Sequence, residues 1–591
     1  MALMTPSETI REARAIEKAL PATTPRLAVL ASFTSDLLNP YLLVEAKRCG
    51  WPLLPWHGPF GQFEQMVMQD SALWELNPEV IWIAMRLQDV EPKLVERSHA
   101  LGPEQVKSSL AGVCRRLVDL AQSARARSRA PIFVSNLELA QLRISQPFEA
   151  SDPDGLFHLI EEANRDLARA LRDMADVYLF DWAGVVNACG ASCFIDPKIW
   201  HMARAPIASS HMPRVAQALL RSVTAVLRPA LKCIVLDLDN TLWGGVLGDD
   251  GPTGLKLGGE YPGNVFREFQ SALLGYVDRG FLLAIASKND APVVQEMLRT
   301  HPEMLLRPEH FACIRANWAP KPQNVREIAK ELNIGLDSLL FVDDNPVERA
   351  QMRAELPMVH VLELPENPLA YLETLRGCPL LDRPRVLTDD ANRLAMYREN
   401  SLRQELQQNI QSVEEYLHQL DMVAEVRLGS SAELDRIHQL INKTNQFNLT
   451  TRRHKLDEVR SFIEDPACRV AWLRLSDRFG DMGLVCVGIL RQVDAQVTEV
   501  DTLLMSCRVM GRSVEDAFLA YLAELAREAN ATRLRGVFRE TAKNAPVAAF
   551  YAKRGFSRVE AEEADAIWYE KELSPDALPW PGGIRIKEKA L

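Results

Sequence analysis

The segment Asp237-Leu238-Asp239-Asn240-Thr241 directly follows the apolar run CIVL, which puts two carboxylates at the carboxyl end of a buried strand. Residues two apart on an extended segment point the same way. Asp237 can then attack phosphorus while Asp239 protonates the leaving oxygen and later activates water. Taken alone, the pattern is equally a turn with a helix cap. Three further elements weigh against that reading: Ser287 ends FLLAIAS and precedes Lys288, Asn289 and Asp290; Lys321 lies in WAPKPQN; Asp343 and Asp344 end SLLFVDD. Thr241, Ser287, Lys288, Asn289 and Lys321 are candidates to hold phosphate oxygens. The carboxylates of Asp237, Asp239, Asp343 and Asp344 are candidates to hold Mg²⁺, a hard ion that prefers oxygen ligands.

A second chemical cluster centres on Cys507, at the end of VDTLLMSC and just before a helix pattern, with Arg508 and Arg512 beside it. Positive potential there lowers a thiol pKa and favours the thiolate. The ordinary alternative is a buried, inert cysteine. The turn from Arg508 through Gly511 and Arg512 to Ser513 opens the helix, so its N–H groups could bind the diphosphate of a pantetheine carrier. Ser513, with Asp516 three residues later, also reads as an N-cap. Upstream, Asn442, Asn445 and Asn448 would form one polar stripe on a helix, suited to an amide-rich pantetheine arm or to solvent.

The elements that must position these groups fall into three blocks. With 591 residues the chain is too long for one core, and at roughly 150 residues per domain three or four are expected. In residues 1–228, apolar strands (RLAVLAS, VIWIAM, APIFVSN, VYLFDWA) alternate with helical patterns, which predicts α/β with a parallel sheet. Residues 229–385 repeat that pattern around CIVLDLD, FLLAIAS and SLLFVDD. Residues 386–419 read as a connecting helix with Thr388 as its N-cap. Residues 420–573 carry VAEVRL, RVAWLRL, LVCVGIL and VDTLLMSC around helices, an α+β block, and 574–591 read as an irregular tail.

Composition limits the function classes. Hydrophobic residues are 47% and charged residues 25% of the chain, the balance of a folded globular protein. The net charge of −11 repels polyanions, so nucleic acid is not the expected partner. The ten cysteines lack CxxC pairs; Cys189 and Cys193 are spaced CxxxC without a matching pair, and reduced thiols in a cytoplasm are expected. No apolar signal core or run of 18 apolar residues occurs, so neither secretion nor a membrane span is expected.

The elements at Asp237/Asp239, Ser287, Lys321 and Asp343/Asp344 resemble the four motifs of the haloacid dehalogenase superfamily of phosphatases and phosphotransferases. The intervals between them leave room for a flap but not for a separate cap domain, so the domain is expected to be uncapped. Its substrate is then bulky, such as a phosphoryl group carried on a protein, or is covered by another domain. Residues 500–556 resemble the GNAT acetyltransferase fold, although Arg512 and Ser513 depart from its loop pattern, which weakens the expectation of free coenzyme A. Asn544 and Tyr551 correspond by position to that fold's pantetheine-facing asparagine and its tyrosine acid; Tyr551 is equally a packing residue.

Together NTLWGGVLGDDG, INKTNQFNLTTRR and LMSCRVMGR look like the FkbH-like family. That resemblance implies loading of a glyceryl unit from 1,3-bisphosphoglycerate onto the phosphopantetheine arm of an acyl carrier protein for polyketide-type biosynthesis. Cys507 would capture the acyl group and Asp237 would remove the phosphate. Long chains of this family carry an SGNH-hydrolase domain, and the first block resembles a degenerate one, with Ser32 or Ser35 as poor nucleophiles and Asp196 and His201 near its end. An inactive docking or shielding domain is the expectation, able to cover the Asp237 site. The alternatives are a Mg²⁺-dependent phosphoprotein phosphatase and a non-enzymatic carrier-docking scaffold.

Overall fold

The computed structural model describes residues 4–97, 100–138, 151–229, 231–384, 399, 403, 406, 410, 412–444, 446–541, 544–560 and 566–589, organised around three sheets. The first contains β1 (Arg26–Ala31), β2 (Leu54–His57), β3 (Val80–Ala84), β4 (Ile132–Ser135) and β5 (Val177–Phe180). All are parallel, in the order β2-β1-β3-β4-β5. Their side chains alternate between two apolar layers. Ala28, Leu30, Ile81 and Ile83 pack with helices Pro103–Arg127 and Leu156–Arg172. Leu27, Val29 and Trp82 pack with helices Asn39–Arg48 and Met212–Leu227. A parallel sheet covered on both faces needs such continuous apolar strands.

The second sheet has the same construction. It comprises β6 (Cys233–Leu236), β7 (Leu282–Ser287), β8 (Phe311–Ala316), β9 (Leu339–Asp343) and β10 (His360–Glu363), all parallel in the order β10-β9-β6-β7-β8. β6 is therefore the central strand, and its four residues are fully buried between the two helical layers. The first two units meet through Arg221, which forms a two-pronged pair with Asp382 and donates to the carbonyl of Arg376 at 2.9 Å. Arg383, beside Asp382, donates to the carbonyl of Leu231 at 3.2 Å, just before β6 begins. This contact lies at the amino edge of the sheet, away from Asp237, so it does not supply the cover expected of the first unit.

The third sheet is mixed and eight-stranded: β11 (Met422–Leu428), β12 (Cys468–Asp477), β13 (Gly480–Gln492), β14 (Val497–Met505), β15 (Arg533–Phe538), β16 (Ser557–Val559), β17 (Ile567–Glu572) and β18 (Ile584–Lys589). Their order is β16-β17-β15-β14-β13-β12-β11-β18, with only β14–β15 and β11–β18 parallel. The tail read as irregular thus supplies an edge strand. Its alternating IRIKEK pattern is short and charged, and pairing with β11 satisfies backbone groups that the pattern alone does not reveal. Most of 386–411, including Thr388, lies outside the described residues; helix Val413–Leu420 follows. Among the described residues, no helix is long and apolar enough to cross a membrane.

Close approaches set local sequence requirements in the third unit. A Cβ on Gly536 of β15 would lie 2.4 Å from ring carbons of Tyr551, which is 1% exposed. Gly536→Val is expected to destabilise the chain by about 1–3 kcal/mol through overpacking, read as a lower denaturant midpoint. An unchanged midpoint would show that the ring has room to move.

Candidate functional site

β6 ends where its apolar residues end, and the chain turns out of the sheet at Asp237, whose N–H donates to the carbonyl of Val342 on β9 (3.0 Å). Ser287 ends β7 on one side and Asp343 ends β9 on the other, so three adjacent strands deliver their last polar residues to one place. This is the carboxyl edge where open α/β sheets bind ligands. Lys321 comes from the first turn of helix Lys321–Glu331, its Nζ 3.0 Å from Asp237 Oδ2 and 2.6 Å from Asp343 Oδ2. Asp343 is further fixed by the N–H of Asn345, which donates to its Oδ1 at 2.9 Å.

One ammonium here faces three acids. Carboxylate oxygens of Asp237, Asp343 and Asp344 lie within 4.8 Å of one another. Burial pushes Asp237 up to about 6, opposed by Lys321 and reinforced by Asp343. Burial also raises Asp343 and Asp344. For Lys321 burial works against the charged form, but Asp237 and Asp343 outweigh it and its pKa rises. The other oxygen of Asp237, Oδ1, is buried with no hydrogen-bond partner. An orphaned carboxylate oxygen among three acids, with oxygen as the only donor type, fits a hard divalent cation.

Asp239 does not join that cluster. Its Oδ1 accepts from Trp243 Nε1 and the N–H of Leu247, both 2.9 Å, and its Oδ2 from Asn289 Nδ2 at 2.9 Å. These donors orient its carboxylate outside the cluster of Asp237, Asp343 and Asp344, so the expectation that this carboxylate ligates the metal with them is corrected. Ser287, 1% exposed, accepts from Asn289 at 3.1 Å, and its hydroxyl favours the charged form of Asp237. Thr241 is buried against Asp344, accepting from its N–H at 3.3 Å, so it braces the loop. Lys288 pairs with Glu348 at 2.6 Å, and that ion pair competes with any phosphate contact. Sequence reading missed Arg349, whose Nη1 donates to the carbonyls of Asp343 and Asp344 at 2.7 Å each. Its place in the first turn after DDNP is the signal, because that turn faces back over the loop. Trp318, on the loop before Lys321, and Val347, after Asp344, are 76% and 69% exposed.

In the third unit, Cys507 begins the short turn Cys507–Val509 at the end of β14; its side chain, like residue Asn445, lies outside what is described. Gly511 is exposed with φ +75°, and Arg508 donates to Ser506 Oγ at 3.1 Å. Arg512 turns inward, 8% exposed, with Nη1 3.5 Å from Met482 Sδ, and burial lowers its pKa. It does not present its charge at the surface of the loop. Ser513 starts helix Val514–Glu528 without a side-chain cap, and Asp516 instead accepts from Arg554 at 2.5 Å. Asn442 bonds the carbonyls of His438 and His454. Asn448 and Asn544 are fully buried, and Asn544 donates to the carbonyls of Asn448 (2.9 Å) and Arg539 (2.8 Å). Tyr551 is packed beside Phe550 and Phe556, and burial pushes its phenol well up. Asn448 and Asn544 serve the core, where buried donors must find partners, whereas the Tyr551 hydroxyl is buried with no hydrogen-bond partner.

The first unit brings no Ser-His-Asp group together from the predicted residues. Ser32 donates to Asp89 at 2.7 Å, Ser35 bonds His57 Nδ1 at 2.8 Å, and Asp196 caps helix Pro197–Ala203, on which His201 is exposed.

No family model matches the chain, and no curated protein does. Among solved structures, the N-terminal part of a Bacteroides fragilis protein, containing a phosphatase domain and complexed with Mg, is similar at 26% identity and a TM-score of 0.55. It covers 65% of this chain and 100% of that one, more than the second unit alone could fill. The GNAT domain of a Streptomyces lividans protein (16% identity, TM-score 0.21) covers 25% of this chain and 89% of that one. An acetyltransferase from Thermus thermophilus (18%, 0.20) covers 26% and 97%. The second unit shares the haloacid dehalogenase-like fold of that phosphatase domain, and its Asp237, Asp343 and Asp344 form a candidate site for a hard divalent cation.

The raised pKa of Asp237 gives a signed pH dependence. In the metal-free protein its protonated form favours the fold; that contribution is complete below its unfolded value of about 4 and is lost as pH rises through about 6. Mg²⁺ is therefore expected to raise Tm more at pH 8 than at pH 5, and Asp343→Asn to remove most of that increment. Equal increments at both pH values, or an undiminished one in the variant, would place the cation elsewhere.

Proposed function

We propose that the chain captures the glyceryl unit of 1,3-bisphosphoglycerate and loads it onto the phosphopantetheine thiol of an acyl carrier protein. The observation that carries the phosphatase half is the Asp237, Asp343 and Asp344 cluster with Lys321 across it. The acyl half rests on the FkbH-like resemblance and on the position of Cys507 between β14 and a helix N-terminus.

In this reading the Cys507 thiolate attacks the acyl phosphate carbon. A C–S bond forms, the C–O bond to phosphate breaks, and inorganic phosphate leaves with the electron pair. The remaining monoester enters the second unit, where an Asp237 oxygen attacks phosphorus and Asp239, oriented by Trp243, Leu247 and Asn289, protonates the departing alkoxide. Water, its proton taken by Asp239, then hydrolyses the aspartyl phosphate, and the carrier's pantetheine thiolate attacks the Cys507 thioester carbon, forming the new C–S bond as the Cys507 thiolate leaves. Mg²⁺, held by Asp237, Asp343 and Asp344, would supply charge neutralisation for the phosphoryl oxygens. Lys321 and Ser287 would hold those oxygens. The same acid cluster with Lys321 supports the second reading, a phosphatase acting on a phosphorylated protein.

With Mg²⁺, labelled 1,3-bisphosphoglycerate and a phosphopantetheinylated carrier, intact-mass measurement is expected to show glyceryl on the carrier. Asp237→Asn should leave a species heavier by one phosphate, and Cys507→Ala should lower carrier loading by at least about 100-fold, as nucleophile loss does. Loading at an unchanged rate in Cys507→Ala would exclude covalent capture there. Phosphate release with no label on the carrier would favour the phosphatase reading.

A further inference from the structure

β14 and β15 are parallel neighbours, yet they pair only from Val497–Val500 against Arg533–Gly536. Beyond that point β14 runs on to Met505 and β15 to Phe538 without pairing, so the two diverge into a wedge. The divergence begins at a local irregularity: between Ile489 and Leu490 the register of β13 against β14 shifts, leaving Asp501 as the extra residue. A bulge of that kind bends a strand and re-aims its side chains. An open wedge would expose the N–H and C=O groups of β14 to any extended, amide-bearing chain, which is how strand addition captures ligands.

The chain fills this wedge itself. The N–H of Leu449 donates to the carbonyl of Leu503, and the N–H of Met505 to the carbonyl of Phe447, both at 3.0 Å, forming an antiparallel bridge at Asn448 and Leu504. On the far side the N–H of Arg539 donates to the carbonyl of Leu449 at 2.8 Å, and Asn544 holds the carbonyl of Asn448. The segment is also anchored at the bulge. Arg452 and His454 both reach Asp501, which is 1% exposed, and His454 Nε2 lies 3.2 Å from Thr502 Oγ1. Phe447 and Leu449 are core residues at 3% and 0% exposure, Phe447 meeting Phe550 edge-on at 5.3 Å between centroids. Each such burial holds the closed state by a factor of roughly ten to one hundred before the hydrogen bonds are counted.

We infer that Phe447–Leu449, bridged to β14 and anchored through Arg452 and His454, permanently occupies this wedge and closes it to pantetheine arms. The inference rests on the acyl-transfer reading of the third unit and sharpens it. A pantetheine thiol then meets the acyl group at the end of β14, around Ser506–Ser513, without threading between β14 and β15. Free coenzyme A and pantetheine lose the backbone pairing that a wedge would give them, so affinity for the arm must come from the surface of the protein that carries it.

Hydrogen exchange on the full chain, read by mass spectrometry in peptides spanning 447–454 and 501–506, tests this with pantetheine, coenzyme A and a phosphopantetheinylated acyl carrier protein as probes. The amides of Leu449 and Met505 are expected to exchange at least roughly a thousandfold slower than unstructured chain, unchanged by all three. The paired change Arg452→Ala and His454→Ala is expected to speed their exchange by roughly tenfold. Exchange at the unstructured rate in the free protein would overturn the inference, as would loss of protection on adding any probe. So would pantetheine-dependent protection appearing along β14 with displacement of 447–454. If the carrier is never loaded while both peptides stay protected, the closed wedge stands and the acyl-transfer reading fails.

Discussion

At the carboxyl edge of the second sheet, Asp237, Asp343 and Asp344 share a buried pocket with one ammonium, and the cost of ionising the unbalanced carboxylates there shapes everything around them. The loops cannot relax apart to lower that repulsion. Arg349 grips the carbonyls of Asp343 and Asp344, Asn345 fixes the Asp343 carboxylate, and Thr241 ties the β6 loop to Asp344. A hard divalent cation would offset that excess of negative charge.

Asp237, Ser287, Asp343 and Asp344 were readable because each sits where an apolar run stops. Such a run ends at the carboxyl edge of a parallel sheet, and that edge is a place as well as a pattern. What the runs do not encode is competition among polar neighbours. Asp239 reads as a ligand from its spacing, but Trp243 and Asn289 lie close enough to claim its oxygens. Lys288 reads as a phosphate contact, yet Glu348, sixty residues on, takes its charge.

The third unit shows a different failure of sequence reading. Asn448 and Asn544 have the donors and acceptors an acyl arm would need, and their side chains serve the backbone of their own chain. A dense run of amides signals that main-chain groups need partners away from regular pairing; it does not say whether the partner is a ligand. The SGNH-hydrolase resemblance of the first unit stays at the level of a parallel α/β sheet, since Ser32 and Ser35 bond to Asp89 and His57 and the Asp196 carboxylate caps a helix.

β18 has a consequence for how the molecule is made. Met422 at one end of the third unit pairs with Ile584 at the other, so the outer edge of β11 stays bare until nearly the whole unit has left the ribosome. Pairing across so long a stretch is slow, and a bare strand edge recruits other chains. Assembly of this unit therefore leaves the β11 edge exposed during synthesis, and a chaperone held over β11 until β18 emerges would shield it.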